Sequence, residues 1–230
     1  TGIASRILGE GSLRGWFGGE VDFEKTRFWW ANSAAKGDIT SMLALGRLLD
    51  GNFGFPDKRD PAAALEQFVK AATLGNPAAM VAAGSRLLNG DEAIRNEKSG
   101  REWLEKALKE DQFDAYLAIG DFEEVIKKDD KLALENYRKG AENGQAGCMI
   151  KLATFLLEGR GGAEKDPGEA LGWFKKAGQA GNALGHVQAA AILLQGQDPA
   201  KTFEGYAHLL AAAEAGLADV QNEVGLLYLS

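Results

Sequence analysis

Two histidines and one cysteine are the chain's whole supply of imidazole and thiol, and their spacing gives them no site. His186 and His208 stand 22 positions apart on different predicted helices, with no Cys, His or acidic partner at metal-ligand spacing. Both are expected to be structural or surface residues. Cys148 falls at a position where other segments carry Ser41, Ala79, Ala115, Gly185 and Val220, so it reads as a small core residue rather than a nucleophile. Gly159-Arg160-Gly161-Gly162 has the glycine content of a phosphate loop but no preceding strand and no Gly-Lys-Ser/Thr ending, which makes it a turn. The carboxylate pairs Glu123-Glu124 and Asp129-Asp130 could work as acid and base. Solvated helix ends and caps account for them more simply. No catalytic residue, cofactor site or metal site is expected.

The bulk properties narrow the partners. The 230 residues are 45% hydrophobic and 26% charged, which is the make-up of a folded globular chain. A net charge of -7 and a pI near 5.0 oppose nucleic acid, whose affinity rests on Lys and Arg neutralising phosphates. No run reaches the roughly 18 apolar residues of a membrane span, and TGIASRILGE lacks the basic-then-apolar pattern of a signal segment. The chain begins without Met, so the compartment, cytoplasmic or periplasmic and secreted, stays open. A single cysteine excludes an intramolecular disulfide.

The glycine count, 30 against 5 prolines, points to recurring turns. A glycine follows each alanine-rich stretch at Gly37, Gly75, Gly144, Gly181 and Gly216, with Asp111 in the missing place. These markers are separated by 38, 36, 33, 37 and 35 residues, the period of a helix-turn-helix repeat. Units follow at about 1–37, 38–75, 76–111, 112–144, 145–181 and 182–216, with the first helix of a further unit at 217–230, all in one array over 1–230.

Other columns keep the register. Nine residues after each marker stand Gly46, Gly84, Gly120, Ala153, Ala190 and Gly225, preceded by Gly9. A mid-helix glycine costs up to about 1 kcal/mol, so its return implies a helix crossing. Eleven before the markers lie Thr26, Ala64, Gly100, Ala133, Ala170 and Gly205 as a second notch. Eight and seven before them come Trp29-Trp30, Gln67-Phe68, Trp103-Leu104, Asn136-Tyr137, Trp173-Phe174 and His208-Leu209, the filling volume. Trp29, Trp103 and Trp173, repeating in one column, are expected in the core. Fifteen before them, Asp22, Asp60, Asn96, Asp129 and Asp166 are placed to cap the second helices. Asp166 and Glu169 have capping-box spacing. Turns are expected at Gly51-Asn52-Phe53-Gly54, Gly90-Asp91, Gly159 to Gly162 and Gly196-Gln197. The fourth unit, GDFEEVIKKDDKLALENY, lacks a turn glycine and must turn more tightly.

The succession of small residues, Leu-Gly, a glycine turn, an Asp cap, Ala, an aromatic and Lys-Ala-Ala before Gly resembles the Sel-1-like repeat, a relative of the tetratricopeptide repeat. LALGRLLDGNFGFPDKRDPAAALEQFVKAATLG at 44–75 and LATFLLEGRGGAEKDPGEALGWFKKAGQAG at 152–181 carry the resemblance best. It implies an all-α fold, a right-handed α-solenoid superhelix of antiparallel helix pairs, with the first helix of each pair on the concave side. It further implies a non-catalytic scaffold that binds a protein or peptide there. A bacterial envelope, secretion or exopolysaccharide-export accessory is the alternative; a helical-repeat enzyme or ligand-binding domain would need clustered titratable groups.

On that implication, Arg47, Asp50, Ser85, Asn89, Asp121, Glu124, Thr154, Glu158 and Gln195 point into the groove, a polar set with an acidic bias. Leu43, Val81, Leu117, Ile150 and Val187 form an apolar column beside them, equally consistent with packing between neighbouring helices. A segment with apolar anchors and basic character is the expected occupant. The array opens near Leu8-Gly9 and closes at Ser230 in mid-repeat. That is expected of a piece cut from a longer protein or of ends covered by self-association.

Overall fold

Each marker glycine turns out to be a helix stop. A computed structural model describes residues 2–16, 19–195 and 198–221, and in it Gly37, Gly75, Gly144, Gly181 and Gly216 have φ between 84° and 93°. Asp111 takes the same left-handed place at φ 55°. At every marker the amide donates three residues back and the next amide donates five back, as in Gly75 N to Ala72 O and Asn76 N to Ala71 O. This is the Schellman ending, and it releases the chain into the following helix two residues later, or three after Asp111.

The described residues form α1 (Gly2–Arg14), α2 (Phe23–Ala34), α3 (Ile39–Leu49), α4 (Pro61–Thr73), α5 (Pro77–Asn89) and α6 (Glu97–Lys109). They continue through α7 (Asp114–Asp121), α8 (Asp130–Glu142), α9 (Ala146–Glu158), α10 (Pro167–Gln179), α11 (Ala183–Leu193) and α12 (Pro199–Glu214). The fold among these residues is all-helical. Two compact units divide the chain, 1–115 and 116–230. Within each, consecutive helices pack as pairs, α3 on α4 and α5 on α6 in the first, α8 on α9 and α9 on α10 in the second. Gly196-Gln197, Gly225 and most of the further helix at 217–230 lie outside the described residues.

The second helices start where the acidic column places them. Asp22, Asp60, Asn96, Asp129 and Asp166 each accept from the amide three residues on, at 2.8–3.0 Å. The Asp166 capping box closes only halfway: Glu169 is turned to Trp173 Nε1 and Arg138, and the Asp166 amide donates to Leu156 O. In the last pair Asp198 caps α12 from three residues upstream, which lengthens that helix. A second capping column follows the markers directly. Asp38, Asn76, Gln145 and Asn182 start α3, α5, α9 and α11 by accepting from backbone amides.

Small and large columns interlock as their spacing requires. A Cβ on Gly46 would stand 2.6 Å from the Phe68 ring, and one on Gly120 2.4 Å from Tyr137. Phe68, Leu104, Tyr137 and Phe174 are buried, as are Thr26, Ala64, Ala133, Ala170 and Cys148. The adjacent tryptophan column is not core. Trp29, Trp103 and Trp173 are half-buried, because one residue along a helix turns the side chain by about 100° away from the buried stripe. Lys106 Nζ lies 4.3 Å above the Trp103 ring and Lys176 Nζ 4.1 Å above Trp173.

The fourth unit turns without glycine by widening its helix. After α7 the chain makes a π-helical turn over Phe122–Lys127 and stops at Lys128, which adopts the left-handed conformation at φ 60°. The Lys128 and Asp129 amides both donate to Glu123 O. Neither carboxylate of the Glu123-Glu124 pair is a solvated helix end: Glu123 is buried, and the Glu124 side chain is 15% exposed.

Candidate functional site

In the unit of residues 116–230, the face of the first helices carries a polar cluster built around Tyr137. Its ring is fully buried under Gly120, and its hydroxyl reaches up between α7 and the π-helical turn. There it lies 2.8 Å from Asp121 Oδ1 and 2.7 Å from Glu124 Oε2. A phenol has one proton for these two acceptors, and Lys151 from α9 supplies further donors and a positive charge. Its Nζ is 2.8 Å from Glu124 Oε2 and 3.3 Å from Asp121 Oδ1. Arg160, in the glycine turn after α9, donates to Glu124 Oε1 at 2.9 Å and grips Asp130 with two bonds of 2.9 and 2.8 Å. Glu158 approaches the same guanidinium at 3.5 Å, and the guanidinium covers the Phe155 ring at 4.2 Å.

The electrostatics follow from this geometry. Burial works against ionisation of Glu124, but hydrogen bonds from Lys151, Tyr137 and Arg160 outweigh it and hold the carboxyl below its ordinary range. Burial, then the Glu124 and Asp121 carboxylates, push the Tyr137 phenol far up, so it stays a donor. Among these residues four carboxylates, Asp121, Glu124, Asp130 and Glu158, face two cations, Lys151 and Arg160. The balance is an excess of two negative charges. Glu158 is the most open of the four at 51% exposed, Asp130 and Asp121 follow at 37% and 36%, and Glu124 is the least open at 15%.

The unit of residues 1–115 repeats the device in simpler form. Asp50 accepts from Arg86 Nε at 2.9 Å and from its Nη2, and the guanidinium lies 5.1 Å from the Phe68 ring. Asp50 to Arg86 and Glu124 to Arg160 are both spans of 36 residues, one repeat. An acid at the end of one first helix therefore reaches a cation one repeat on. Second helices show a parallel ladder, Arg138 to Glu169 at 3.7 Å and Lys175 to Glu204 at 2.6 Å.

Of the residues expected on this face, Asp121, Glu124 and Glu158 are brought together and Asp50 joins Arg86. Arg47 and Gln195 are exposed, and Ser85 and Asn89 are half-buried on α5. Thr154 turns its hydroxyl back to Ile150 O of its own helix. Leu43, Val81, Leu117, Ile150 and Val187 are all half-buried. Lys151 and Arg86 were not singled out by the sequence, in which Tyr137 reads as filling volume, Arg160 as part of a turn and Asp130 as part of a capping pair rather than as members of this face. The acid-to-arginine spacing of one repeat is the signal that finds two of them. His186 and His208 do have a partner, each other: their Nδ1 atoms are 2.8 Å apart. Among the described residues no group of three or more His, Cys, Asp or Glu could hold a metal.

A profile of the Sel1 repeat matches residues 3–38, 39–76, 77–111, 114–145 and 146–182. The chain belongs to the Sel1 repeat family. Solved Sel1 structures share its fold. The Sel1 repeat protein from Oxalobacter formigenes is 24% identical with a TM-score of 0.66, over 92% of this chain and 85% of that one. The protein c5321, a protective antigen present in uropathogenic Escherichia coli strains displaying an SLR fold, is 22% identical with a TM-score of 0.63. That match covers 98% of this chain and 52% of c5321, so the chain spans about half of that protein's length. The immunity protein Pa5087 from Pseudomonas aeruginosa is 16% identical with a TM-score of 0.56, over 91% of this chain and 84% of its own. Sel1 repeat proteins are in general protein-interaction scaffolds. No helix among the described residues is long and apolar enough to cross a membrane.

Proposed function

We propose that this Sel1 repeat chain is a non-catalytic adaptor whose first-helix face holds a protein segment bearing basic groups beside apolar anchors. The observation that carries the reading is the excess of four carboxylates over two cations in the cluster around Lys151 and Arg160, on the face that also carries the half-buried Leu117 and Ile150. A Lys or Arg of the partner would complete the charge balance, and the internal ion pairs hold the carboxylates in place before it arrives. The test is capture from host lysate, comparing the native chain with Arg47→Glu/Asp121→Lys/Glu158→Lys. These three positions are exposed or half-exposed, whereas Glu124 is the least exposed carboxylate and holds Lys151, Arg160 and Tyr137 together. A partner retained by the native chain, lost by the variant and weakened by salt is expected. Equal capture by both, at unchanged stability, removes the face from consideration. The partner's compartment would also decide whether the adaptor serves a bacterial envelope or export assembly.

Self-association draws on a different surface. On α12 Phe203 is 78% exposed, Tyr206 46% and Leu210 39%, one stripe at helical spacing. Leu210 occupies the column of Arg138 and Lys175, which contact the next second helix. The stripe thus has the shape to receive a second helix from another copy. Light scattering across concentration should show a dimer or larger species that Phe203→Lys/Leu210→Glu abolishes; a monomer at every concentration argues against it.

A further inference from the structure

The two histidines of the chain face one another across the last helical pair. His186 of α11 and His208 of α12 bring their Nδ1 atoms to 2.8 Å, with ring centroids 5.1 Å apart. At the same two repeat positions the earlier pairs carry Met42 and Gln67, Met80 and Trp103, Tyr116 and Asn136, and Met149 and Trp173. None of those side chains changes charge between pH 5 and 8; only the last pair places two titrating groups in contact. α10 makes room for them, since a Cβ on Gly178 would stand 2.6 Å from His186 Nδ1.

We propose that the His186–His208 contact is an acid-sensitive latch that holds α11 to α12 at neutral pH and releases the pair when both rings are protonated. The contact has a fixed proton requirement. One ring presents Nδ1–H and the other a bare Nδ1 lone pair, so a neutral pair or a pair sharing a single added proton satisfies it. Two imidazolium rings point N–H at N–H across 2.8 Å and carry like charges.

The surroundings disfavour the protonated form of His208. Lys175 of α10 and Glu204 of α12 are the charged groups that face the rings, and α11 contributes none besides His186. Asp219, in the helical residues that follow the turn after α12, is exposed. Burial of His208, then His186 and Lys175, hold its imidazole below the ordinary range, against the pull of Glu204 at 4.0 Å. A histidine depressed in the fold contributes stability above its unfolded pKa of about 6.5, and that contribution is lost as pH falls through the folded value. The hydrogen bond from Lys175 keeps the Glu204 carboxyl below its usual range, so their ion pair persists through the same window and is not what gives way.

The experiment is amide hydrogen exchange between pH 7.5 and 5.0, corrected for intrinsic rates, with EDTA present so that no metal bridges the two nitrogens. In the native chain α11 and α12 should lose protection by about tenfold or more, while α9 and α10 change little. His186→Met/His208→Gln, which copies the Met42 and Gln67 of the second repeat, should flatten that dependence. Native protection independent of pH, or an equal loss in the variant, overturns the latch. Should the variant fold poorly, imidazole proton resonances of the native chain decide. Two coupled steps, the second displaced to lower pH than the first, support it; two independent, undisplaced titrations sink it.

Discussion

Replacing Tyr137 with alanine is expected to remove about 3–5 kcal/mol from the stability of the 116–230 unit, the range seen when a large aromatic is deleted from a core. The ring fills the hollow above Gly120, is fully buried, and packs edge-on against Phe155 with centroids 5.4 Å apart. Its hydroxyl is also a neutral donor shared between Asp121 and Glu124. Tyr137→Phe separates the two contributions. It keeps the volume and removes one charge-assisted hydrogen bond, at a cost of about 2 kcal/mol. Hydrogen-exchange protection of α8 and α9 measures both. Equal losses in the two variants would show that the polar cluster, not the packing, dominates; no loss in Tyr137→Phe would show the cluster to be dispensable.

The repeat was legible because each of its columns obeys a local rule. A Schellman ending needs a residue tolerant of positive φ, so Gly37 to Gly216 stand out at separations of 33 to 38 residues even where Asp111 substitutes. The Asp22 to Asp166 column is equally local, a side chain accepting from an amide three residues on. The tryptophan column misled because neighbouring columns, eight and seven before the marker, both carry large residues. Only helix phase tells that Phe68 and Phe174 go inward while Trp103 and Trp173 stay at the rim. The candidate site was legible in part. Asp121 and Glu124 followed from register, but their partners did not. Lys151 and Arg160 come from the next repeat, and the π-helical turn at Phe122–Lys127 has no simple sequence signature. His186 and His208 escaped for the same reason: a separation of 22 residues is silent about contact until two helices are folded back on each other.

Glycine identity should matter most where backbones touch, and Gly84 is the sharpest case. A Cβ there would lie 2.6 Å from Leu104 Cγ and 2.9 Å from the carbonyl oxygen of Gly100, while Gly100 in turn would meet Gly84 O at 3.1 Å. α5 and α6 therefore cross through two glycines with main chain against main chain. Leu104 can change rotamer, but a carbonyl oxygen inside a helix cannot retreat without moving the helix. Gly84→Val is expected to cost about 3 kcal/mol, the upper part of the usual overpacking range. Adding Leu104→Ala should not restore stability, because the contact with Gly100 O remains and a core leucine is lost. Gly172 is the counter-case. It lies within α10, and a Cβ added there would meet nothing within 4 Å, so Gly172→Ala should gain about 0.5–1 kcal/mol from helix propensity alone. Thermal unfolding of the two variants should therefore move in opposite directions. A stable Gly84→Val protein would mean that the α5 and α6 crossing can open, and that the recurring small column reflects something other than close approach.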